Sequence, residues 1–334
     1  VINYDLTTIW ALIIAFAVFM YVVMDGFDLG IGILFPTFGK GQERSQAMNA
    51  IAPVWDGNET WLVLGGGGLL AAFPLAYAVI LPATYPLIIA MLLGLIFRGV
   101  AFEFRWRDPR HEAFWDFAFF AGSLVAAFSQ GMILGAILQG IAVEGRSYAG
   151  GWLDWLQPYT LLTGAGVTVG YTLLGATFLA MKLTGDAEAH AYRLAVRAGI
   201  ATLALMVAVS LATPFLLGRY WDRWFDWPQI LFTSQVPLLT AITAFALYRS
   251  LKKRRRYRPF VLSLILFLLG MIGLGISIWP YVVPDSLTIW DAAAPERTQI
   301  FMLVGTLVIM PIILAYTGWA YWVFRGKVAD EGYH

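Results

Sequence analysis

The chain has 334 residues, 60% of them hydrophobic and only 13% charged, with no cysteine. Soluble domains run nearer about 45–50% apolar and about 25% charged, so this composition excludes an ordinary soluble fold, and the missing cysteines exclude disulfides, thiolate metal sites and iron–sulfur clusters. A net charge of +1 excludes nothing by itself; the placement of the charges is more informative.

Apolar segments of about 20 residues are long enough to cross a ~30 Å hydrocarbon core as helices, whereas barrel strands alternate polar and apolar over ~10 residues. The expected architecture is therefore an all-α integral membrane protein. Nine transmembrane helices are expected, at 8–35, 54–73, 77–97, 116–141, 159–181, 199–217, 229–248, 260–280 and 300–324. They form a single polytopic domain over 1–334 with no separate soluble unit. Asp5 precedes the first span and no small-residue cleavage site follows it, so that span is expected to remain in place rather than be removed as a signal.

Inside the first span, Met24-Asp25-Gly26-Phe27-Asp28-Leu29-Gly30 interrupts an apolar run with two carboxylates. Each costs about 2.5–3.5 kcal/mol in lipid on insertion scales, so both are expected to face protein or water. Their i, i+3 spacing places them on one helical face. Asp25 lies about 15 Å before the end of the span at Phe35. The second span is short and carries Gly65-Gly66-Gly67-Gly68, tolerated in membrane helices and able to admit a neighbouring backbone closely. It opens with a second acid pair, Asp56 and Glu59. Two readings stay open for these four acids. They form a proton-conducting or ion-binding cluster at one end of two adjacent helices, or they are structural. In the structural reading Asp56 and Glu59 form a capping box, and Asp25 and Asp28 bond to a neighbour or pair with an arginine such as Arg98.

Further along, Ser129, Gln130 and Gln139 are expected to make interhelical hydrogen bonds, and Gly131/Gly135 and Gly166/Gly170 to mark tight helix packing. Lys182, at the end of the fifth span, is expected to snorkel to the interface. The aromatic-rich segments 142–158 and 219–228 read as interfacial belts. The run Lys252–Arg258 would in isolation fit nucleic acid or anionic lipid; here it reads as a topological anchor. Alternating the spans places 18 of the 22 Lys and Arg residues on one side, leaving Arg146, Arg219, Arg223 and Arg297 on the other. Positive charge marks the cytoplasmic side, so the N-terminus is expected outside and the C-terminus inside.

Histidine limits the redox chemistry. His111 and His190 fall in loops and His334 at the terminus. No span offers the bis-His or His/Met pair that holds a haem within a bilayer, and the ten methionines read as packing. Any haem is therefore expected on another chain. Composition and spacing stop at a nine-helix membrane protein with buried acids, which fits a transporter as well as a respiratory subunit.

The motifs discriminate between these. Asp25-Gly26-Phe27-Asp28-Leu29-Gly30, Trp55-Asp56-Gly57-Asn58 and Phe97-Arg98-Gly99-Val100-Ala101-Phe102-Glu103 resemble subunit II of the cytochrome bd family of quinol oxidases. So do Ser286-Leu287-Thr288-Ile289-Trp290-Asp291, then Pro311-Ile312-Ile313-Leu314-Ala315-Tyr316-Thr317 and the aromatic end at Tyr321-Trp322. These motifs cover about the first 105 and last 50 residues; the middle matches only in helix count. The resemblance implies two four-helix bundles plus a peripheral helix, in a haem-free subunit without catalytic residues of its own. It implies a partner subunit I that binds quinol, two haems b and one haem d, in a bacterial inner-membrane complex reducing oxygen to water with protons from the cytoplasm. Asp28 and Asp56 match family acids associated with a proton route. Asp25 and Arg98 lie in the same motifs, and Glu59 departs from relatives that carry Gln there. Some members hold a structural quinone in this subunit, to which no residue here is assigned; small single-helix accessory chains and lipids are further implied partners, nucleic acid is not. The competing class, a proton- or cation-coupled secondary transporter, would need matched broken helices around a midplane cavity, and the spans show no such pair.

Overall fold

The computed structural model describes residues 5–328; His334 lies outside them. Nine long helices organise the described residues: α1 (Leu6–Leu34), α2 (Trp55–Ala72), α3 (Pro74–Arg107), α4 (Glu112–Leu138), α5 (Pro158–Lys182), α6 (Gly185–Ala212), α7 (Gln235–Lys252), α8 (Arg258–Ile278) and α9 (Glu296–Val323). Eight helices are long and apolar enough to cross a membrane. α2 is not among them, because Asp56, Asn58 and Glu59 occupy its first two turns. Several helices outrun the apolar segments that announce them. α3 continues through Phe-Glu-Phe-Arg-Trp-Arg to Arg107 and α6 begins at Gly185. Hydropathy reports only the apolar part of a helix, while the charged and aromatic turns beyond it keep the same backbone bonding.

Two sets of inter-helix segments gather at opposite ends. At the basic end, Arg44 reaches Asp116 at 2.7 Å, and Arg105 reaches Asp116 at 2.7 Å, Glu112 at 2.5 Å and Ser45 at 3.2 Å. Phe38 packs edge-on against His190, Lys327 pairs with Glu188 at 2.7 Å, and the Tyr192 hydroxyl donates to the Arg255 carbonyl. At the other end the Trp290 indole donates to Asp5 at 2.9 Å, the Ala294 amide to the Ala72 carbonyl at 2.8 Å, and the Tyr220 hydroxyl to the Leu138 carbonyl at 2.8 Å. This is the sorting that the alternation of the Lys and Arg residues requires. It also carries the chain along α2 from one end, where Trp55 stacks on Phe102, to the other at Ala72.

α1 is the central helix, in contact with α2, α4 and α5. Its approach to α5 is set by Gly30, where a Cβ would lie 1.8 Å from the Tyr171 carbonyl oxygen, and by Gly175, where a Cβ would lie 2.6 Å from the Gly30 backbone. The expected tight packing occurs within the chain at Gly131 and Gly135, both against Thr163. Gly170 sits under the Phe267 ring, whereas Gly166 only touches Val209. The Gly65–Gly68 quartet admits no neighbouring backbone among the described residues; Gly66 and Gly67 have nothing within 4 Å of a built Cβ. Lys182, the last residue of α5, is buried, and its ammonium donates to the carbonyls of Phe324 and, at 3.0 Å, Gly326. The carbonyls past the end of a helix are partly negative and lack intrahelical donors, so they are suited to hold this charge at the basic end.

Candidate functional site

α1, α2 and α3 bring two of the four predicted acids, Asp25 and Glu59, to one arginine, with Asp28 on the same face of α1. Asp25 and Asp28 are wholly buried, as their surroundings in α1 require. Arg98 belongs to α3 rather than to the loop that follows the apolar segment, and it too is wholly buried. Its Nη1 lies 2.6 Å from Asp25 Oδ1 and its Nη2 lies 3.0 Å from Glu59 Oε2. The Trp55 ring stands 5.9 Å from the guanidinium and is itself stacked on Phe102. Glu59 keeps 29% of its side chain exposed, so the ladder Glu59–Arg98–Asp25 runs from the edge of the fold inward.

Asp28 takes a different partner. Asn58 Nδ2 donates to Asp28 Oδ2 at 2.8 Å, and Asn58 Oδ1 accepts from the Tyr321 hydroxyl at 2.7 Å. This ties α1, α2 and α9 together through one amide. One turn before Asp25, the Tyr21 hydroxyl accepts from Gln130 Nε2 at 2.7 Å, and Gln130 Oε1 accepts from the Tyr171 hydroxyl at 2.8 Å. Asp25 Oδ2, Asp28 Oδ1 and Arg98 Nε have no hydrogen-bond partner among the described residues. Asn58, Tyr321 and the Tyr21–Gln130–Tyr171 trio were not picked out as site residues from the sequence. Asn58 sits between Asp56 and Glu59, the available signal; Tyr321, 263 residues away, stands out only as part of the aromatic end, with nothing to connect it to Asn58.

The capping box does not form. Val54 occupies the N-cap of α2 with no side-chain bond, and the Glu59 carboxylate turns to Arg98 instead of back to the helix start. Asp56 is exposed in the first turn and joins no buried contact, which sets it apart from the other three acids. Gln130 makes the interhelical bonds expected of it.

A family described as "Cytochrome bd terminal oxidase subunit II" matches residues 6–324. The chain belongs to the cytochrome bd subunit II family. It is 31% identical to the "Cytochrome bd-I ubiquinol oxidase subunit 2" of Escherichia coli K12, over 99% of this chain and 97% of that protein. It is 30% identical to the "Probable cytochrome oxidase subunit 2" of Haemophilus influenzae (98% and 96% covered) and 27% identical to the "Cytochrome bd ubiquinol oxidase subunit 2" of Bacillus subtilis (98% of each). In fold it is similar to a chain of the bd oxidase from Geobacillus thermodenitrificans, with a TM-score of 0.75 over 96% of this chain and 98% of that one at 18% identity. As a cytochrome bd subunit II it is a membrane-spanning part of a respiratory terminal quinol oxidase, an oxidoreductase complex that contains haem and at least one other subunit.

The residues of this subunit do not suit haem ligation inside the bilayer. Among the described residues its histidines are His111, paired with Asp108 at 2.8 Å, and His190, near Thr37 and Arg193, both at the basic end and outside the apolar segments. No group of three or more His, Asp or Glu side chains able to hold a metal occurs among the described residues.

Proposed function

We propose that this chain is the haem-free partner of a subunit I that carries two haems b and one haem d and oxidises quinol, and that its buried acids help bring cytoplasmic protons to the site of oxygen reduction. The observation that supports this reading is the ladder from half-exposed Glu59 through Arg98 to Asp25, with Asp28 beside it. Buried carboxylates within membrane helices commonly belong to proton relays.

The partners divide the labour. Asp25 shares the Arg98 guanidinium, and protonating it would weaken the pairing of a buried cation, which is costly. Among the described residues Asp28 has no cation in hydrogen-bond contact; it accepts from Asn58 through one oxygen while the other has no partner. It can therefore take up and release a proton without breaking an ion pair. Asn58, fixed by Tyr321, holds its orientation. Exposed Asp56 and half-exposed Glu59 supply the entrance. In the same reading all nine long helices span the membrane, α1–α4 and α5–α8 form two bundles with α9 peripheral, and the basic end faces the cytoplasm.

The test replaces Asp28 and Asp56 singly by Asn, which keeps size and most hydrogen bonding but does not exchange a proton at ordinary pH. Quinol-driven oxygen consumption in membranes, normalised to haem d and followed across pH, should fall with assembly intact. If both variants assemble fully and match the parent rate at every pH, the acids are structural. Separately, this chain expressed without its partner should purify without Soret absorbance.

A further inference from the structure

The cations between Arg249 and Arg258 take no part in the acid cluster. None of them forms an ion pair with a carboxylate among the described residues. Arg254 lies over the Tyr192 ring and Arg256 over Tyr257, with Arg256 Nε also donating to the Met181 carbonyl at 3.4 Å. Arg249, Lys253, Arg255 and Arg258 instead border a cavity of about 500 Å³ at the corner between α7 and α8. Ser250 and Tyr257 complete the corner, and Ala246, Val261 and Leu262 continue the lining along the two helices.

The backbone at this corner favours an anion. Arg254, with φ +48°, turns the chain so that the amides of Lys253, Arg254 and Arg255 donate to the carbonyls of Arg249, Leu251 and Ser250. The partly negative end of α7 is thereby capped. The positive end of α8, a helix of 21 residues, begins at Arg258 in the cavity wall. A cavity bordered by four basic residues and by apolar side chains, at the end of two membrane-long helices, matches the chemistry of an acidic phospholipid, because basic pockets between such helices bind anionic headgroups. A free phosphate ion would leave the apolar wall unused.

We propose that the α7–α8 corner is a binding site for an anionic phospholipid of the leaflet at the basic end, with Lys253, Arg255 and Arg258 on its phosphate and Ala246, Val261 and Leu262 against an acyl chain. The site is independent of the acid cluster and of any proton route.

The experiment uses the purified two-subunit complex, depleted of lipid by detergent exchange, then supplied with phosphatidylglycerol, phosphatidylcholine or inorganic phosphate. Retained lipid is read by mass spectrometry and the thermal midpoint is followed against added lipid. The parent should keep phosphatidylglycerol in preference to phosphatidylcholine. The triple variant Lys253→Gln/Arg255→Gln/Arg258→Gln should need about 100-fold more phosphatidylglycerol for the same protection, the loss typical of removing three cations near a headgroup layer. Lys252→Gln/Arg254→Gln, in the same basic run but outside the cavity wall, should behave as the parent, and Arg255→Lys/Arg258→Lys should keep most of the preference. No preference for phosphatidylglycerol in the parent overturns the proposal, even if the triple variant fails to assemble. So does equal binding by parent and triple variant, or protection by inorganic phosphate at concentrations matching the lipid.

Discussion

Arg98 and Asp25 meet at 2.6 Å with neither side chain exposed to solvent, an ion pair closed off between α1 and α3. Removing one partner of such a pair leaves an uncompensated buried charge and costs about 3–5 kcal/mol, a large part of a typical total stability of about 5–15 kcal/mol. Arg98→Met should therefore leave membranes with little assembled oxidase, measured as haem d per milligram of protein. Arg98→Lys should be nearly as damaging, because a point ammonium does not reproduce the planar fork that reaches Asp25 and Glu59 together. The double variant Arg98→Met/Asp25→Leu should recover part of the assembly. Parental haem d content in Arg98→Met would show that the pair does not hold the helices.

The glycine contacts predict a sharp contrast within one residue type. A methyl group on Gly30 would meet the Tyr171 carbonyl oxygen at 1.8 Å, which neither backbone can relieve without separating α1 from α5. Gly30→Ala should abolish a stable subunit, judged by its level in membranes. Gly66→Ala, where no atom of the described residues beyond its own stretch of helix lies within 4 Å of the new methyl, should leave that level unchanged. A stable Gly30→Ala protein would mean that the α1–α5 approach is looser than described.

These contrasts show where sequence reasoning reached and where it stopped. Helix positions were legible because an apolar stretch long enough to cross a bilayer has few alternatives, and the two ends were legible because the Lys and Arg residues alternate with the spans. The acids of α1 were legible because lipid penalises them. Arg98 was harder to place. It directly follows an apolar segment, so hydropathy assigns it to a loop, and only the partners on α1 and α2 make its burial affordable. The partners of Lys182 were illegible for the same reason: its acceptors are carbonyls near residues 324–326, which no local pattern connects to it. The Gly65–Gly68 quartet leaves α2 unbroken, as expected, but a small-residue run marks the capacity for close approach and not the presence of a neighbour.

At the end opposite the basic loops, Asp291 should make the 286–294 segment sensitive to acid. Its carboxylate accepts from the Thr288 hydroxyl at 2.6 Å and the Thr288 amide at 3.1 Å, and the Thr288 hydroxyl bond holds its pKa below the usual carboxylate value. A pKa depressed by folding stabilises above the unfolded value and loses that contribution as pH falls through the folded one. Hydrogen exchange in this segment, corrected for intrinsic rates, should be constant from neutral pH down to the ordinary carboxylate range and rise below it. Asp291→Ala should show fast exchange throughout. A parent profile flat into strong acid would contradict the role given to this carboxylate.

The orientation of the two ends can be tested directly, because the chain has no cysteine and any introduced thiol is the only one it carries. Gln42 and Lys252 are exposed at the basic end, and Arg146 is exposed in the segment after α4 at the other. Ser250, although in the same corner as Lys252, is buried and would resist labelling for the wrong reason. Under the positive-inside rule, Gln42→Cys and Lys252→Cys should react with a membrane-impermeant maleimide only after cells are permeabilised, and Arg146→Cys should react in intact cells. The pair at Gln42 and Lys252 also tests α2. The two positions stand on one side only if α2 crosses together with the eight more apolar helices, so they should label alike. Labelling of Gln42 from outside while Lys252 stays protected would mean that α2 does not span. Labelling of both from outside, with Arg146 protected, would invert the subunit and place the half-exposed Glu59 at the face where a cytoplasmic proton could not enter.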